Sequence, residues 1–176
     1  SYQPENFYRY PRMDFEMLDK YNEGLIISTA CLSGPLFGDF WKHRNDSADH
    51  VLAAMRDTIA RFKEIFGDRF YGEGNALIIQ ACMEMGVEVI STSDSHYPRP
   101  ELWKDREMYR RIGGIIFDDD QGIPESVEEI GYELYPRNGD QMWEAYKKYS
   151  ARHNIDYDDS YIRDTIERTH HIAFDL

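Results

Sequence analysis

Hydrophobic residues recur along the chain in two patterns, one helical and one extended. The clearest helical pattern is an apolar stripe at three- and four-residue spacing, which predicts an amphipathic helix over residues 47–66. The stripe consists of Val51, Leu52, Met55, Ile59, Phe62 and Phe66. Ser47 is a suitable N-cap for this helix, and Gly67 lies just past its end. A shorter helix over residues 14–21 is predicted to begin at Asp14.

Short apolar runs between the helices predict strands. Residues 25–27 read Leu-Ile-Ile, which fits a strand buried on both faces of a parallel sheet. Residues 69–71 and 87–93 fit two further strands, and a helix over residues 76–85 is predicted between them. This alternation of strands and helices predicts an α/β fold, with a parallel sheet or barrel and the helices outside it.

The other segments are less regular. We predict an irregular lead-in over residues 1–13 and a loop over residues 32–46, which contains two glycines and a proline. In the second half, we predict helices over residues 100–112, 125–130, 140–150 and 158–173, strands over 115–117 and 132–135, and an acidic turn at 118–120. No internal repeat divides residues 1–176, so a single domain or a fragment of one is expected. The chain begins with Ser1 and not Met, which favours a fragment.

Composition and charge restrict the partners that can be expected. The chain has 33 acidic and 20 basic residues, giving a formal charge of −13. Such a surface repels phosphate backbones and attracts cations, so the chain alone should bind nucleic acid poorly.

Its two cysteines, Cys31 and Cys82, are too few for a disulfide framework and indicate a reducing compartment, which predicts a cytoplasmic protein. No apolar run approaches the roughly 20 residues of a membrane helix, so no membrane association is expected.

Two predicted strands are followed by side chains that can bind a metal. Cys31 follows the first strand, and Asp94 and His96 follow the strand over residues 87–93. Residues two apart in an extended segment point to the same side, so the side chains of Asp94 and His96 can reach the same point in space. A carboxylate with an imidazole suits Zn²⁺, Mn²⁺ or Fe²⁺ better than Mg²⁺ or Ca²⁺, and a thiolate favours zinc. An Asp-x-His pattern is also common by chance, and a lone cysteine after a strand is usually a small hydrophobe, so both interpretations stay open here.

Other polar and sulfur-containing side chains are predicted to have ordinary roles. His43 and His50 flank the start of the long helix and are expected to be solvated, although His43 could approach the metal site from the preceding loop. Cys82 lies among apolar residues of a predicted helix and is expected in the core.

Several segments resemble a known family, and they occur in that family's order. The family is the polymerase and histidinol phosphatase (PHP) domain, in the version at the N-terminus of the alpha subunit of bacterial DNA polymerase III. The matching segments are residues 7–14 (FYRYPRMD), 18–26 (LDKYNEGLI), 28–34 (STACLSG), 65–73 (IFGDRFYGE), 91–97 (STSDSHY) with 99–101, and 132–135 leading to 141–142. Together they extend over nearly the whole chain.

The resemblance implies part of a distorted β/α (TIM-like) barrel that binds divalent metals at its strand ends. Cys31, Asp94 and His96 fall on the family's metal-ligand positions, with zinc or manganese expected and magnesium as a further option. The family's opening His-x-His pair lies earlier in its sequence, whereas the first histidine here is His43. The chain therefore resembles the C-terminal portion of the domain. Family members usually have a longer loop near residues 73–75, so either a tight connection or missing residues are expected there.

The resemblance also implies a function for the intact protein. That function is replicative DNA synthesis, with metal-dependent phosphodiester hydrolysis as a 3′–5′ proofreading exonuclease. DNA would be contacted through other domains, and other replisome subunits would be partners; whether this chain alone is an enzyme is left open. One alternative is an inactive PHP module that stabilises the polymerase or docks a partner. Another is a free-standing PHP phosphatase, which the similarity over residues 132–142 disfavours.

Overall fold

The structure of the protein is a computed structural model. It describes residues 7–8, 10–11, 13–30, 33–73, 76–113, 124–126, 129, 133–154 and 157–175. The chain divides into two compact units, Ser1–Ile90 and Ser91–Leu176, and each is described by itself.

The N-terminal unit contains both strands and helices, and the C-terminal unit is mainly helical where it is described. The strands are β1 (Phe7–Tyr8), β2 (Tyr10–Pro11), β3 (Ile27–Ser28) and β4 (Phe70–Tyr71). The helices of the first unit are α1 (Phe15–Lys20), α2 (Pro35–His43), α3 (Ala48–Phe66) and α4 (Ala76–Glu84). Those of the second unit are α5 (Trp103–Ile112), α6 (Gly139–His153) and α7 (Asp159–Phe174), and a 3₁₀ turn at Pro100–Leu102 precedes α5.

Helix α3 is the centre of the first unit, as its apolar spacing predicts. All six predicted stripe residues are buried, and burying each such side chain contributes roughly 1.5–3 kcal/mol. The Ser47 hydroxyl accepts a hydrogen bond from the His50 backbone N–H at 3.3 Å, which caps the first turn. Gly67 ends the helix with a φ of 56°, a conformation that glycine adopts without steric cost.

Strands β3 and β4 of the first unit pair in parallel. Ile27 of β3 pairs with Phe70 of β4, and Gly72 forms a parallel bridge to Val89. The bridge is held by a hydrogen bond from Gly72 N–H to the Glu88 carbonyl at 2.7 Å and another from Ile90 N–H to the Gly72 carbonyl at 2.8 Å. The predicted α/β class and parallel order are confirmed. Closure of the sheet into a barrel remains a prediction.

The first strand is shorter than predicted. Leu25 and Ile26 are 49% and 43% exposed, so the prediction that both are buried in a strand is wrong. The guanidinium of Arg69 explains the difference, since its Nη1 donates to the carbonyls of Asn22 at 2.5 Å and Leu25 at 2.9 Å. Leu25 N–H also donates to the Asn22 carbonyl at 3.1 Å. These bonds hold residues 22–25 in a turn, and the strand begins only at Ile27.

Helix α2 occupies part of the segment that was predicted to be a loop. Gly34 and Pro35 are common in loops, but proline also suits the first position of a helix, because an N–H group there would have no acceptor within the helix. The helix buries Leu36 and Phe37. It is tied to α3 by a hydrogen bond of 2.6 Å from the Thr58 hydroxyl to the Asp39 carboxylate.

Other predictions divide into confirmed and incorrect ones. Helices α1, α4, α5, α6 and α7 confirm the predicted helices within a few residues at each end. The predicted irregular lead-in instead contains the antiparallel pair β1 and β2, because aromatic residues favour extended backbone. Of residues 87–93 only Val89 forms a bridge, and residues 133–135 form no strand. Residues 115–120 and half of the predicted helix over 125–130 (residues 127, 128 and 130) lie outside the described residues. No helix in the described part of the chain is both long enough and apolar enough to cross a membrane.

Candidate metal centre

Asp94 and His96 lie side by side in the second unit. His96 Nε2 is 3.0 Å from Asp94 Oδ1, and both side chains are exposed to solvent. This proximity is what the two-residue spacing in an extended segment predicts. The pair offers one imidazole nitrogen and one carboxylate oxygen, which are ligands of Zn²⁺ and Mn²⁺.

Helix α7 holds the backbone that leads into this pair. Ser91 N–H donates to the Thr165 carbonyl at 3.1 Å, and the Thr169 hydroxyl donates to the Ser91 carbonyl at 2.8 Å. The hydroxyls of Ser91 and Thr165 are 2.6 Å apart. Thr165 is buried, and its contact with the Ser91 hydroxyl is partly buried. The segment after the first unit is therefore anchored at its start, three residues before Asp94.

Residues 133–137 hold the other side of the pair. The Leu134 carbonyl accepts hydrogen bonds from the N–H groups of His96 at 2.8 Å and Tyr97 at 3.2 Å. Leu134 N–H in turn donates to the Tyr97 hydroxyl at 2.8 Å. The predicted strand over residues 132–135 is absent from its described part, but Leu134 still fixes the backbone of His96.

Cys31 lies outside the described residues, so its role as a third ligand remains a prediction. The residue before it, Ala30, has a φ of 58°. A non-glycine residue in this left-handed region costs about 1 kcal/mol or more, and such conformations concentrate at functional sites. The backbone thus turns sharply at the carboxyl end of β3, where the sequence predicts a ligand.

A further carboxylate, Glu73, lies at the carboxyl end of β4 and is not among the ligands predicted from the sequence. Its Oε1 accepts a hydrogen bond of 2.5 Å from the Ser28 hydroxyl of β3. The Thr29 hydroxyl both donates to the Glu73 carbonyl at 2.6 Å and accepts from Glu73 N–H at 2.8 Å. The signal that could have identified Glu73 is its position directly after a strand, which is the same argument that selected Cys31.

Cys82 belongs to the core, as predicted. Its side chain is fully buried in α4, and burial raises the pKa of this thiol to about 12. Because the thiolate is the form that binds metals, Cys82 is protonated and unsuited to coordination at neutral pH.

A separate cluster lies at the corner between α2 and α3. His43 Nδ1 is 2.9 Å from Asp46 Oδ2, and His50 Nδ1 is 3.3 Å from the same oxygen. The side chain of His50 is 58% exposed, as expected for a solvated residue, whereas that of His43 is only 20% exposed. The sequence-based prediction includes the two histidines one by one but not the Asp46 carboxylate between them.

Comparisons with known proteins give the family context. A DNA polymerase III subunit alpha from Borreliella burgdorferi is 32% identical over 154 residues, which cover 81% of this chain and 12% of the relative. The chain is similar to a segment of these alpha subunits. The alpha subunit of Aquifex aeolicus is 35% identical over 108 residues, or 55% of the chain and 9% of the relative. That of Campylobacter jejuni is 28% identical over 160 residues, covering 81% of the chain and 13% of the relative.

The predicted resemblance to DNA polymerase III alpha subunits is thereby confirmed. The chain spans only about a tenth of the length of the curated relatives it matches. No family model matches the chain. Similarity to the alpha subunit is thus established for this segment, whereas its assignment to the PHP domain remains a prediction.

Proposed function

We propose that this chain is the C-terminal portion of a PHP domain in a replicative DNA polymerase of the DNA polymerase III alpha type. In this proposal Asp94, His96 and Cys31 bind divalent metal, with zinc or manganese preferred and magnesium as a further option. The observation that carries the proposal is the Asp94–His96 pair at 3.0 Å in a segment similar to the alpha subunits.

The chemistry proposed for the complete protein is metal-dependent hydrolysis of a phosphodiester bond, as a 3′–5′ exonuclease. A divalent metal at such a site lowers the pKa of bound water and neutralises charge on the phosphoryl oxygens. Asp94 and His96 would hold the metal, and Leu134 would position His96 through its backbone. Because only Cys31, Asp94 and His96 of this chain are assigned as metal ligands, we expect the chain to hydrolyse DNA weakly or not at all without the rest of the protein.

The partners and location follow from the same proposal. The charge of −13 disfavours direct DNA binding by this segment, so DNA contact is assigned to other domains of the polymerase. Other replisome subunits would be protein partners. A cytoplasmic location is in keeping with a chain that has only two cysteines.

The test is removal of both ligands in the intact protein that contains this chain. Asp94→Ala with His96→Ala should lower bound zinc or manganese and abolish 3′–5′ hydrolysis of a labelled primer, while DNA synthesis continues. Metal content by mass spectrometry and primer degradation without nucleotides are the measurements. Full metal occupancy and full hydrolysis in the double variant would contradict the proposal.

A matched control is available on α7. His171 Nδ1 and Asp175 Oδ2 are 2.9 Å apart and exposed, so they form a similar pair at the C-terminal end of a helix. His171→Ala with Asp175→Ala should leave metal content and hydrolysis unchanged. If both double variants lose hydrolysis equally, the loss reflects general damage to the second unit and the assigned ligands are wrong.

The exposure and acidity of the segment also favour a second candidate function, an inactive module that docks a protein partner. Asp94 and His96 are exposed and bonded to each other, so their folded position does not require a metal. This function predicts that the Asp94→Ala, His96→Ala protein retains normal folding and synthesis, and that the parent protein shows neither bound metal nor hydrolysis.

A further inference from the structure

The corner between α2 and α3 brings together three side chains that can ligate a metal. His43 is the last residue of α2, Asp46 lies in the turn, and His50 lies in the first turn of α3. One nitrogen of each histidine and one oxygen of Asp46 all lie within 4.8 Å of one another. This cluster lies in the first unit and shares no residue with the Asp94–His96 pair.

The distances suit a borderline transition metal. Ligand bonds to zinc are about 2.0–2.2 Å, so adjacent ligand atoms in a tetrahedral site are about 3.4 Å apart. The two imidazole nitrogens lie 2.9 Å and 3.3 Å from Asp46 Oδ2, close to that separation. Because His50 is mostly exposed, its ring can adjust its position without disturbing the core.

The backbone around the cluster is fixed before any ion binds. Asp46 N–H donates to the His43 carbonyl at 2.8 Å, and His50 N–H donates to the Ser47 carbonyl at 3.0 Å. His43 lies at the C-terminal end of α2, where the helix dipole favours a cation. The N-terminal end of α3 carries the opposite partial charge and disfavours a cation. The Asp46 carboxylate lies between the two helix ends, and its negative charge offsets this effect.

The geometry points to a second metal site, in which His43, Asp46 and His50 bind one Zn²⁺-like divalent ion. Two imidazole nitrogens and one carboxylate oxygen are ligands that zinc, cobalt and nickel accept, whereas Mg²⁺ and Ca²⁺ prefer oxygen. Three protein ligands leave a fourth tetrahedral position for water. The ion would join the end of α2 to the start of α3 and stabilise that corner.

Cobalt titration of the full chain tests this site directly. The chain should carry Asp94→Ala and His96→Ala, so that the other candidate site does not contribute. Cobalt is the probe because tetrahedral coordination gives intense visible absorption bands. We expect these bands to saturate at one equivalent, and zinc to displace cobalt and raise the melting temperature. Absence of such bands would overturn the proposal.

Variants of the cluster identify the ligands. In the same background, His50→Ala and Asp46→Asn should each remove the cobalt bands and the zinc-induced rise in melting temperature. His171→Ala is the matched control, because His171 also pairs with a single aspartate at 2.9 Å but has no third ligand in the described structure. It should retain both signals.

Folding of the variants is checked without metal by circular dichroism. Since His50 is mostly exposed, His50→Ala should keep the helical signal of the parent chain. Cobalt bands that persist in both His50→Ala and Asp46→Asn would show that the ion binds elsewhere, and the assignment would be wrong. Equal loss of the cobalt bands in His171→Ala would also show that the assignment is wrong.

Discussion

Gly72 is a residue whose identity is dictated by the space around it. A Cβ at this position would lie 2.6 Å from Cys82 Sγ and 3.2 Å from Val89 Cγ2. Both neighbours are buried, so neither can move into solvent. The absence of a side chain therefore allows β4 to approach α4 and the Val89 segment closely, as glycine does within other strands.

Replacing Gly72 by alanine should destabilise the protein. Overpacking a close contact costs about 1–3 kcal/mol, which exceeds the roughly 0.4–1 kcal/mol gained from a less flexible unfolded chain. Urea unfolding followed by circular dichroism measures the change. Adding Cys82→Ala should recover part of the loss, because it removes the sulfur atom that is nearest to the new methyl group.

Gly38 provides the control for this prediction. It lies inside α2, and a Cβ there would meet no atom within 4 Å. Gly38→Ala should therefore stabilise the protein by about 0.5–1 kcal/mol, since alanine favours helix. If the two alanine variants change the free energy of unfolding in the same direction, the packing argument for Gly72 is incorrect.

For helices and strands, a long repeating hydrophobic pattern predicts the structure correctly. A short motif that does not repeat can predict the wrong element. Six apolar residues at helical spacing predict α3, because burial of one face determines that helix. Gly34 and Pro35 also occur at helix starts, so local composition could not separate a loop from α2. Leu25 and Ile26 look like a buried strand, yet Arg69, more than 40 residues later, holds that backbone in a turn.

The same reasoning explains what could be predicted of the candidate sites. Asp94 and His96 are only two residues apart, so their spacing in the sequence is enough to predict their contact. The cluster of His43, Asp46 and His50 depends on the turn between two helices, one of which was not predicted. Asp46 is three residues after His43 and four residues before His50. These spacings indicate proximity only if helical geometry continues through the corner between α2 and α3.

The contact between Ser91 and α7 allows a prediction about one hydrogen-bonded pair. The Thr165 hydroxyl donates its single hydrogen to the Ile162 carbonyl at 2.7 Å, so Ser91 must donate in the 2.6 Å contact between the two hydroxyls. Thr165→Val should cost about 1–2 kcal/mol, because it leaves buried polar groups without this partner. Chemical denaturation of Thr165→Val, Ser91→Ala and the double variant measures the coupling.

We expect the two substitutions to be less than additive, with a coupling of about 0.5–1.5 kcal/mol. Ser95→Ala is the control, since Ser95 is exposed and its hydroxyl contacts only the Ser93 carbonyl at 3.4 Å among the described residues. It should change stability by less than about 0.5 kcal/mol. Strict additivity of the Ser91 and Thr165 substitutions would show that their hydroxyls do not interact.

At the scale of the whole molecule, the similarity to DNA polymerase subunits and the net charge of the chain lead to different expectations for DNA binding. The relatives are named as DNA polymerase subunits, but this segment has 33 acidic against 20 basic residues. DNA-binding surfaces neutralise phosphates with lysine and arginine, and their affinity rises as salt is lowered. A chain of net charge −13 should show the opposite trend, because lower salt lengthens the range of its repulsion from DNA.

The chain alone should therefore not bind a primer-template. Anisotropy of a fluorescently labelled primer-template should stay constant when the chain is added at about 0.15 M salt, and should remain constant when the salt is lowered to about 0.01 M. A basic DNA-binding protein in the same assay should bind more tightly at the lower salt. Binding by this chain that strengthens as the salt concentration falls would show that a positively charged surface outweighs the net charge of −13. DNA contact would then be assigned to this segment and not to other domains.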